Sequence, residues 1–399
     1  LQVPPAEVEA ALDAADRAQL AEIAAAIQES QSGRGSYETI QVVHEAASAP
    51  RTHVLRRGNY LKPGVEVQPA LLGILLPPGE VPSGSDQRPP SQPAGESSGR
   101  RLRLARQLTN PDVLAGQYVS RVFVNRVWQQ VFGKGIVATS DNFGVSGAEP
   151  THPELLDWLT TEFLRGGWRV KPLIRQMMLS NAYRQLSETG AATTEAERID
   201  PANDLLWRMN LRRLDSEYVR DAMLATSGKL DRSLFGTFIP VEVRPDGMVV
   251  IKQEGLPTPT YQWRRSLYVL ARRNYHLTML RVFDQPIVAA NCTVRQPSAV
   301  VTQSLTLLHD DFVLEQAGCF ADRVMTLAPD AVEQQVATAF RIALNRPPSE
   351  EETNWSVELL EQQSARFREG AESDADVSRN ALAQLCKMLF NTNEFLYVR

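Results

Sequence analysis

The stretch Thr151-His152-Pro153-Glu154-Leu155-Leu156-Asp157 places an imidazole beside two carboxylates. On a helix, Glu154 and Asp157 are three residues apart and share a face. A histidine with two carboxylates could carry protons or hold a metal. The same residues also have a structural use. Thr151 and Glu154 read as a capping box that starts a helix, His152 lies on the surface at its N-terminus, and Asp157 pairs with an arginine.

A second constellation is Arg121, Asn125 and Arg126 in SRVFVNRVW. Arg121 and Asn125 are four apart on one helical face, and two guanidiniums with an amide could clamp an anion. Asp141 follows in the loop Thr139-Ser140-Asp141-Asn142-Phe143-Gly144. Convergence of His152, Asn125, Asp141 and an arginine on one concave pocket would favour acid–base chemistry. Further along, Arg212, Arg213, Asp215, Arg220 and Asp221 lie on or beside one helix, and Arg264, Arg265, Arg272 and Arg273 flank a strand-like run. These form either an arginine–carboxylate network or a surface for phosphate or polyanionic glycan, with Arg213, Asp215 and Arg265 as its candidate contacts. Net acidity favours the network.

The rest of the sequence narrows the chemistry. No phosphate loop, GxGxxG or GxSxG stretch occurs, and Ser227 and Ser298 have no adjacent histidine. Cys292, Cys319 and Cys386 are too few for a disulfide framework or a four-cysteine zinc site. No CxxCH stretch attaches a c-type haem, and five scattered histidines argue against a dense metal site. The expectation is no metal and no cofactor in this chain. A net charge of −5 over 399 residues argues against nucleic acid as a partner. No window reaches the roughly 18 apolar residues a membrane helix needs.

These side chains must be positioned mostly by helices. Residues 6–29 carry an apolar stripe (Val8, Ala11, Leu12, Ala15, Leu20, Ile23, Ile27) at helical spacing. Two β-type runs, 39–44 and 52–56, read as a hairpin, followed by a turn at Lys62-Pro63-Gly64. Residues 77–100 contain 15 Pro, Gly or Ser in 24 and cannot bury enough apolar surface to order themselves. Helices follow at 101–108, 112–132, 153–165 and 172–183, with Trp128, Phe132, Leu155, Trp158, Phe163, Trp168 and Met177 expected in their common core. Later helices are read at 213–227, 297–309, 311–328, 331–344, 349–367 and 376–390. A hairpin turns at Pro245-Asp246-Gly247, RSLYVL (265–270) reads as a strand, and Cys386 reads as core. Fold class is therefore mainly α: a multi-helix domain with small β-hairpins.

Several phrases together resemble one family. The central one is NRVWQQVFGKGIVATSDNFGVSGAEPTHPELLDWLTTEFLRGGWRVKPLIRQMMLSNAYRQ. Around it stand RTHVLRRGNYLKPGVEV, LWRMNLRRLDSEYVRDAMLATSGKLD, RRSLYVL with FDQP, QSLTLLHDDFVLEQA, AFRIALNRPPSEEE and LFNTNEFLYVR. From about Arg51 to Arg399 they resemble, in order, the planctomycete-specific C-terminal domain of unknown function. Two stretches depart from it: 113–121, where the family usually reads NPLTARVMVNRIW, and Leu308-His309-Asp310-Asp311. The resemblance implies an exported, periplasmic or cell-envelope protein. It implies an upstream cytochrome-c-like domain and a second uncharacterised domain as partners in the same protein. The chain, which opens LQVPPAEVEA, is then expected to be the C-terminal part of a longer protein.

The organisation that follows is a connecting helix (1–33), a β-hairpin region (34–76), a disordered linker or insert (77–100) and a helical body (101–399). Two functions compete. One is a binding or scaffolding module that docks the cytochrome-c-like domain or a surface glycan. The other is a hydrolase or lyase on acidic polysaccharide, with His152 and Glu154 as acid–base residues and Arg121, Arg126 and Arg213 on the anion.

Overall fold

The computed structural model describes residues 12–32, 51–75, 99–187, 194–288, 291–329, 331–370 and 373–398. The chain divides into two compact units, residues 1–106 and 107–399.

In the first unit, α1 (Ala14–Ser32) is alanine-rich, and Asp13 starts it by accepting the Asp16 N–H at 2.8 Å. Its stripe residues Leu20, Ile23 and Ile27 are all exposed. The hairpin here differs from the expected one. β1 (Thr52–Leu55) pairs antiparallel with β2 (Pro63–Val67), so the segment read as a turn supplies the second strand. The reversal is made by Arg57 and Gly58 at positive φ and by Asn59, whose Oδ1 accepts the Leu61 N–H. The run 39–44 and most of the Pro/Gly/Ser-rich stretch lie outside the described residues. Helix α2 (Arg100–Thr109) spans the division between the units.

The second unit is mainly α, with short two-stranded β pairs. Its first core forms where α3 (Leu114–Phe132), α4 (Pro153–Arg165) and α5 (Val170–Met178) meet. Val124, Trp128, Phe132, Ile136, Leu156, Leu159, Phe163, Leu173 and Met177 fill it. Gly133 closes α3 in the left-handed conformation, which costs glycine little. The expected core is corrected at Trp158, which is 49% exposed; α4 turns Leu156, Leu159 and Phe163 inward instead. Helix α5 stops at Met178 rather than near 183. Ser180 donates to the Met177 carbonyl and accepts the Tyr183 N–H, trading helix continuation for a local turn.

After α6 (Thr194–Ile199) and β3 (Arg212–Arg213) comes α7 (Ser216–Ser227). The expected hairpin is present as β4 (Val241–Val243) and β5 (Val249–Ile251). The strand expected at 265–270 is not. Ser266 to Tyr268 form a single 3-10 turn, and only Val269 bridges to Ile239. Asp221 on α7 explains this, because its carboxylate takes both the backbone N–H and the hydroxyl of Ser266 at 2.7 Å.

The remaining helices are α8 (Thr278–Val282), α9 (Val301–His309), α10 (Asp311–Leu327), α11 (Val332–Leu344), α12 (Glu350–Glu369), α13 (Asp374–Phe390) and α14 (Asn393–Leu396). Helix α10 is central, with Val313, Ala317, Phe320 and Val324 against Leu382, Leu385, Cys386 and Phe390 of α13. Finally β6 (Tyr397–Val398) pairs with β3 and ties the chain's end to the start of α7.

Candidate functional site

Arg121 on α3 and Asp157 on α4 meet in an ion pair across the two helices. Partial burial lowers the arginine's pKa from its ordinary value. The pair lies in an open groove of about 630 Å³, whose other contributors include Leu114, Tyr118, Thr160 and Arg165. Tyr118 stands edge-on to Phe143, at 6.3 Å between ring centroids and 80° between planes, and keeps part of its surface in solvent. The groove thus combines an aromatic side chain, a charged pair and a threonine hydroxyl on apolar walls.

Asn125, one turn along α3, has a different task. It is fully buried. Its amide donates to the Val137 carbonyl at 3.0 Å and the Ser140 hydroxyl at 3.3 Å, and its carbonyl accepts the Val137 N–H at 2.8 Å. Gln129 extends this network, accepting from Ser140 at 2.5 Å and donating to the Thr293 carbonyl at 3.1 Å. Asn125 therefore fixes the 136–140 loop and is sealed from any ligand. Arg126 and Asp141 are exposed, on the helix and in the loop respectively.

The expected capping box does not form. His152 holds the N-cap position of α4 with no side-chain cap. The Thr151 hydroxyl is drawn away to the Ile136 carbonyl at 3.3 Å and to His152 Nδ1 at 2.9 Å. His152 borders a crevice of about 10 Å³ with Trp128, Lys134 and Asn203, too small for a substrate. Glu154 is exposed in the first turn of α4, where a carboxylate suits the positive end of the helix dipole. His152, Asn125 and Asp141 do not share a pocket with the Arg121–Asp157 pair.

The central arginines are taken up by the fold. Arg213 lies over the Phe283 ring at 5.2 Å, approaches Asp284 at 3.5 Å and donates to the Ser298 carbonyl. Asp215 is 3.7 Å from Arg295, which binds Glu217 at 2.6 and 3.1 Å. Arg264 is buried, while Arg265 is exposed. The three candidate contacts Arg213, Asp215 and Arg265 thus have separate surroundings.

A second cleft, of about 390 Å³, carries groups that the sequence reading missed. Glu242 and Arg244 of the hairpin face Asp310, Asp311 and Glu315 around α10. Asp310 accepts the Phe312 N–H at 2.9 Å, and Arg244 reaches Asp311 at 3.3 Å. Burial raises the carboxyl pKa of both Asp310 and Glu315, so each holds its proton to a higher pH than usual. Such carboxyls could donate a proton or receive a cation. The local trace is the run from His309 to Glu315 at a helix junction; the hairpin, Arg220, Gln262 and Leu277 to Met279 come from distant segments. Of the thiols, Cys386 is fully buried, and burial pushes its pKa up, which keeps it unreactive. Among the described residues no group of three or more His, Cys, Asp or Glu is arranged to hold a metal, and no helix is long and apolar enough to cross a membrane.

Residues 100–360 match the family described as "PSD1: Protein of unknown function (DUF1553)". No curated protein and no solved structure matches the chain.

Proposed function

The chain belongs to the DUF1553 family of proteins of unknown function, and from that premise we propose that it is a non-catalytic binding module for a surface glycan. The observation that carries this reading is the α3–α4 groove, where Tyr118 and the Arg121–Asp157 pair border one open space. An aromatic face stacks on the C–H surface of a sugar ring, while fixed charged and hydroxyl groups satisfy its hydroxyls. Arg121, paired with Asp157, and Arg165, which reaches Glu162 at 3.2 Å, put two guanidiniums at the groove, which suits an acidic glycan.

A hydrolase would need two carboxyl groups flanking the scissile bond. Asp157 is the only carboxylate among the groove's lining residues, and Arg121 neutralises it. His152 and Glu154, the acid–base pair of the competing reading, lie outside the groove. The resemblance to the planctomycete domain supports placing the module in an exported envelope protein, behind a cytochrome-c-like domain and a second uncharacterised domain.

The test is a glycan array followed by calorimetry on the acidic glycans it selects. Binding should weaken in Tyr118→Ala and Arg121→Ala and persist in His152→Ala. Turnover of a polysaccharide that disappears in His152→Ala would replace this reading with the hydrolase.

A further inference from the structure

Residues 232–238 form a fully exposed turn that presents apolar side chains to solvent. Phe235 is 83% exposed, and Leu234, Phe238 and Leu267 are also exposed. Phe235 has φ +65°, a left-handed conformation that an aromatic residue rarely takes, and Gly236 follows at φ +83°. The turn is held there from below. Tyr268 Oη accepts the Phe235 N–H at 2.9 Å, and the buried Arg264 donates to the Phe235 carbonyl and, at 3.0 Å, to the Thr237 carbonyl. Tyr261 Oη donates to the Thr237 carbonyl at 2.5 Å. The Arg264 guanidinium is stacked over Tyr268 at 3.8 Å and over Tyr261 at 4.7 Å. A buried arginine and two tyrosines therefore fix a strained backbone whose side chain contributes nothing to the core. Strain of this kind persists where the surroundings over-determine it, and it gathers at functional positions.

Two exposed arginines lie beside the turn. Arg232 precedes the apolar residues, and Arg265 sits between Arg264 and the Ser266–Tyr268 turn. Both arginines are exposed, and among the described residues neither guanidinium has a hydrogen-bond or ion-pair partner. Asp231 precedes Arg232 and its carboxylate accepts the Ser233 N–H at 2.8 Å, so the two arginines face one carboxylate at the base of the turn. In a chain of net charge −5, two unpaired cations flanking an apolar turn are a local feature.

We propose that the Leu234–Phe238 turn is a peripheral anchor that inserts Phe235 into an anionic lipid surface, with Arg232 and Arg265 on the headgroups. An exposed apolar turn needs no shaped pocket to receive it, and a lipid interface supplies none. Exposed aromatic and leucine side chains bury in the acyl boundary while flanking cations meet anionic headgroups. Pre-fixing the turn lowers the ordering cost of insertion.

The test is co-sedimentation of the 399-residue chain with vesicles of phosphatidylcholine alone and of phosphatidylcholine with phosphatidylglycerol. The chain should bind the anionic vesicles, and Phe235→Ser should weaken that binding about tenfold or more. The double variant Arg232→Gln/Arg265→Gln should lose the preference for anionic vesicles. Val145→Ser, which removes another fully exposed apolar side chain, should bind as the unsubstituted chain does. Unchanged thermal melting of each variant separates lost contact from lost fold. Equal binding by Phe235→Ser, or by both vesicle types, overturns the proposal. Absence of binding to either vesicle also overturns it, in favour of a protein partner for the turn.

Discussion

Arg346 holds Glu394 through two parallel hydrogen bonds, Nε–Oε1 at 2.8 Å and Nη2–Oε2 at 2.7 Å. The same guanidinium takes Glu352 at 2.7 Å twice, which joins the end of α11, the start of α12 and the short α14. Glu352 also accepts the Ser349 N–H at 2.7 Å in a capping box. Arg346 and these bonds pull the Glu352 pKa from its usual 4.5 down to about 2. A carboxyl depressed in the folded state stabilises above its unfolded pKa and loses that contribution as pH falls through its folded pKa. Melting temperature should therefore drop between about pH 4.5 and about pH 2, and Arg346→Gln should flatten that part of the profile. Parallel acid profiles for the two proteins would refute the assignment.

Arg220 is a buried cation held mainly by neutral groups. It donates to the carbonyls of Gln262 and Arg264 at 2.6 and 3.1 Å and to the Ser266 hydroxyl at 3.2 Å, with its guanidinium 5.1 Å from the centre of the Phe312 ring. Burial lowers its pKa to about 10, with Asp221 at 3.8 Å opposing the shift. Arg220→Ala leaves buried carbonyls without donors and should cost about 3 kcal/mol in urea unfolding. Arg220→Lys should recover less than half of this, because a compact ammonium cannot span the acceptors that the planar fork reaches. A lysine variant as stable as the unsubstituted chain would show that charge alone suffices.

Gly116 sits in the first turn of α3, and a Cβ there would lie 1.9 Å from the Asn110 carbonyl oxygen. That neighbour is backbone, so it cannot swing aside. Gly116→Ala should displace the start of α3 and cost about 2 kcal/mol or more. Leu114, Gln117 and Tyr118 of the same turns line the groove, so glycan affinity should fall with stability. Melting and calorimetry on one preparation check both effects.

The helices were legible because their apolar residues recur at helical spacing: α3, α4 and α9 to α13 fall within a few residues of the expected ranges. The pairing of Asp157 with an arginine was legible too, as the structural use of that carboxylate. Long-range contacts were not. Thr151 has the sequence of a cap, yet Ile136 takes its hydroxyl, and RSLYVL has strand composition, yet Asp221 takes Ser266. The β3–β6 pairing joins residues about 185 apart and leaves no local pattern. The acidic cleft is hidden for the same reason, since the hairpin's Glu242 meets Asp310 and Glu315 of α10's first turns only in the fold.

Arg121 and Asn125 look equivalent in sequence, four residues apart on one helix face, and the structure gives them opposite roles. Asn125→Ala strands the buried Val137 N–H and carbonyl and should cost about 2–4 kcal/mol. Arg121→Ala frees an Asp157 that is 59% exposed and readily hydrated, so the stability cost should stay below about 1 kcal/mol. Glycan affinity should divide the other way. The arginine variant should bind about tenfold more weakly or worse, for loss of a charge-assisted contact to the ligand. The asparagine variant should keep its affinity at temperatures where it remains folded, because Asn125 does not line the groove. Urea unfolding and calorimetry on the two variants measure both quantities. A stable Asn125→Ala with weakened binding would place the ligand against the 136–140 loop and move the site out of the α3–α4 groove.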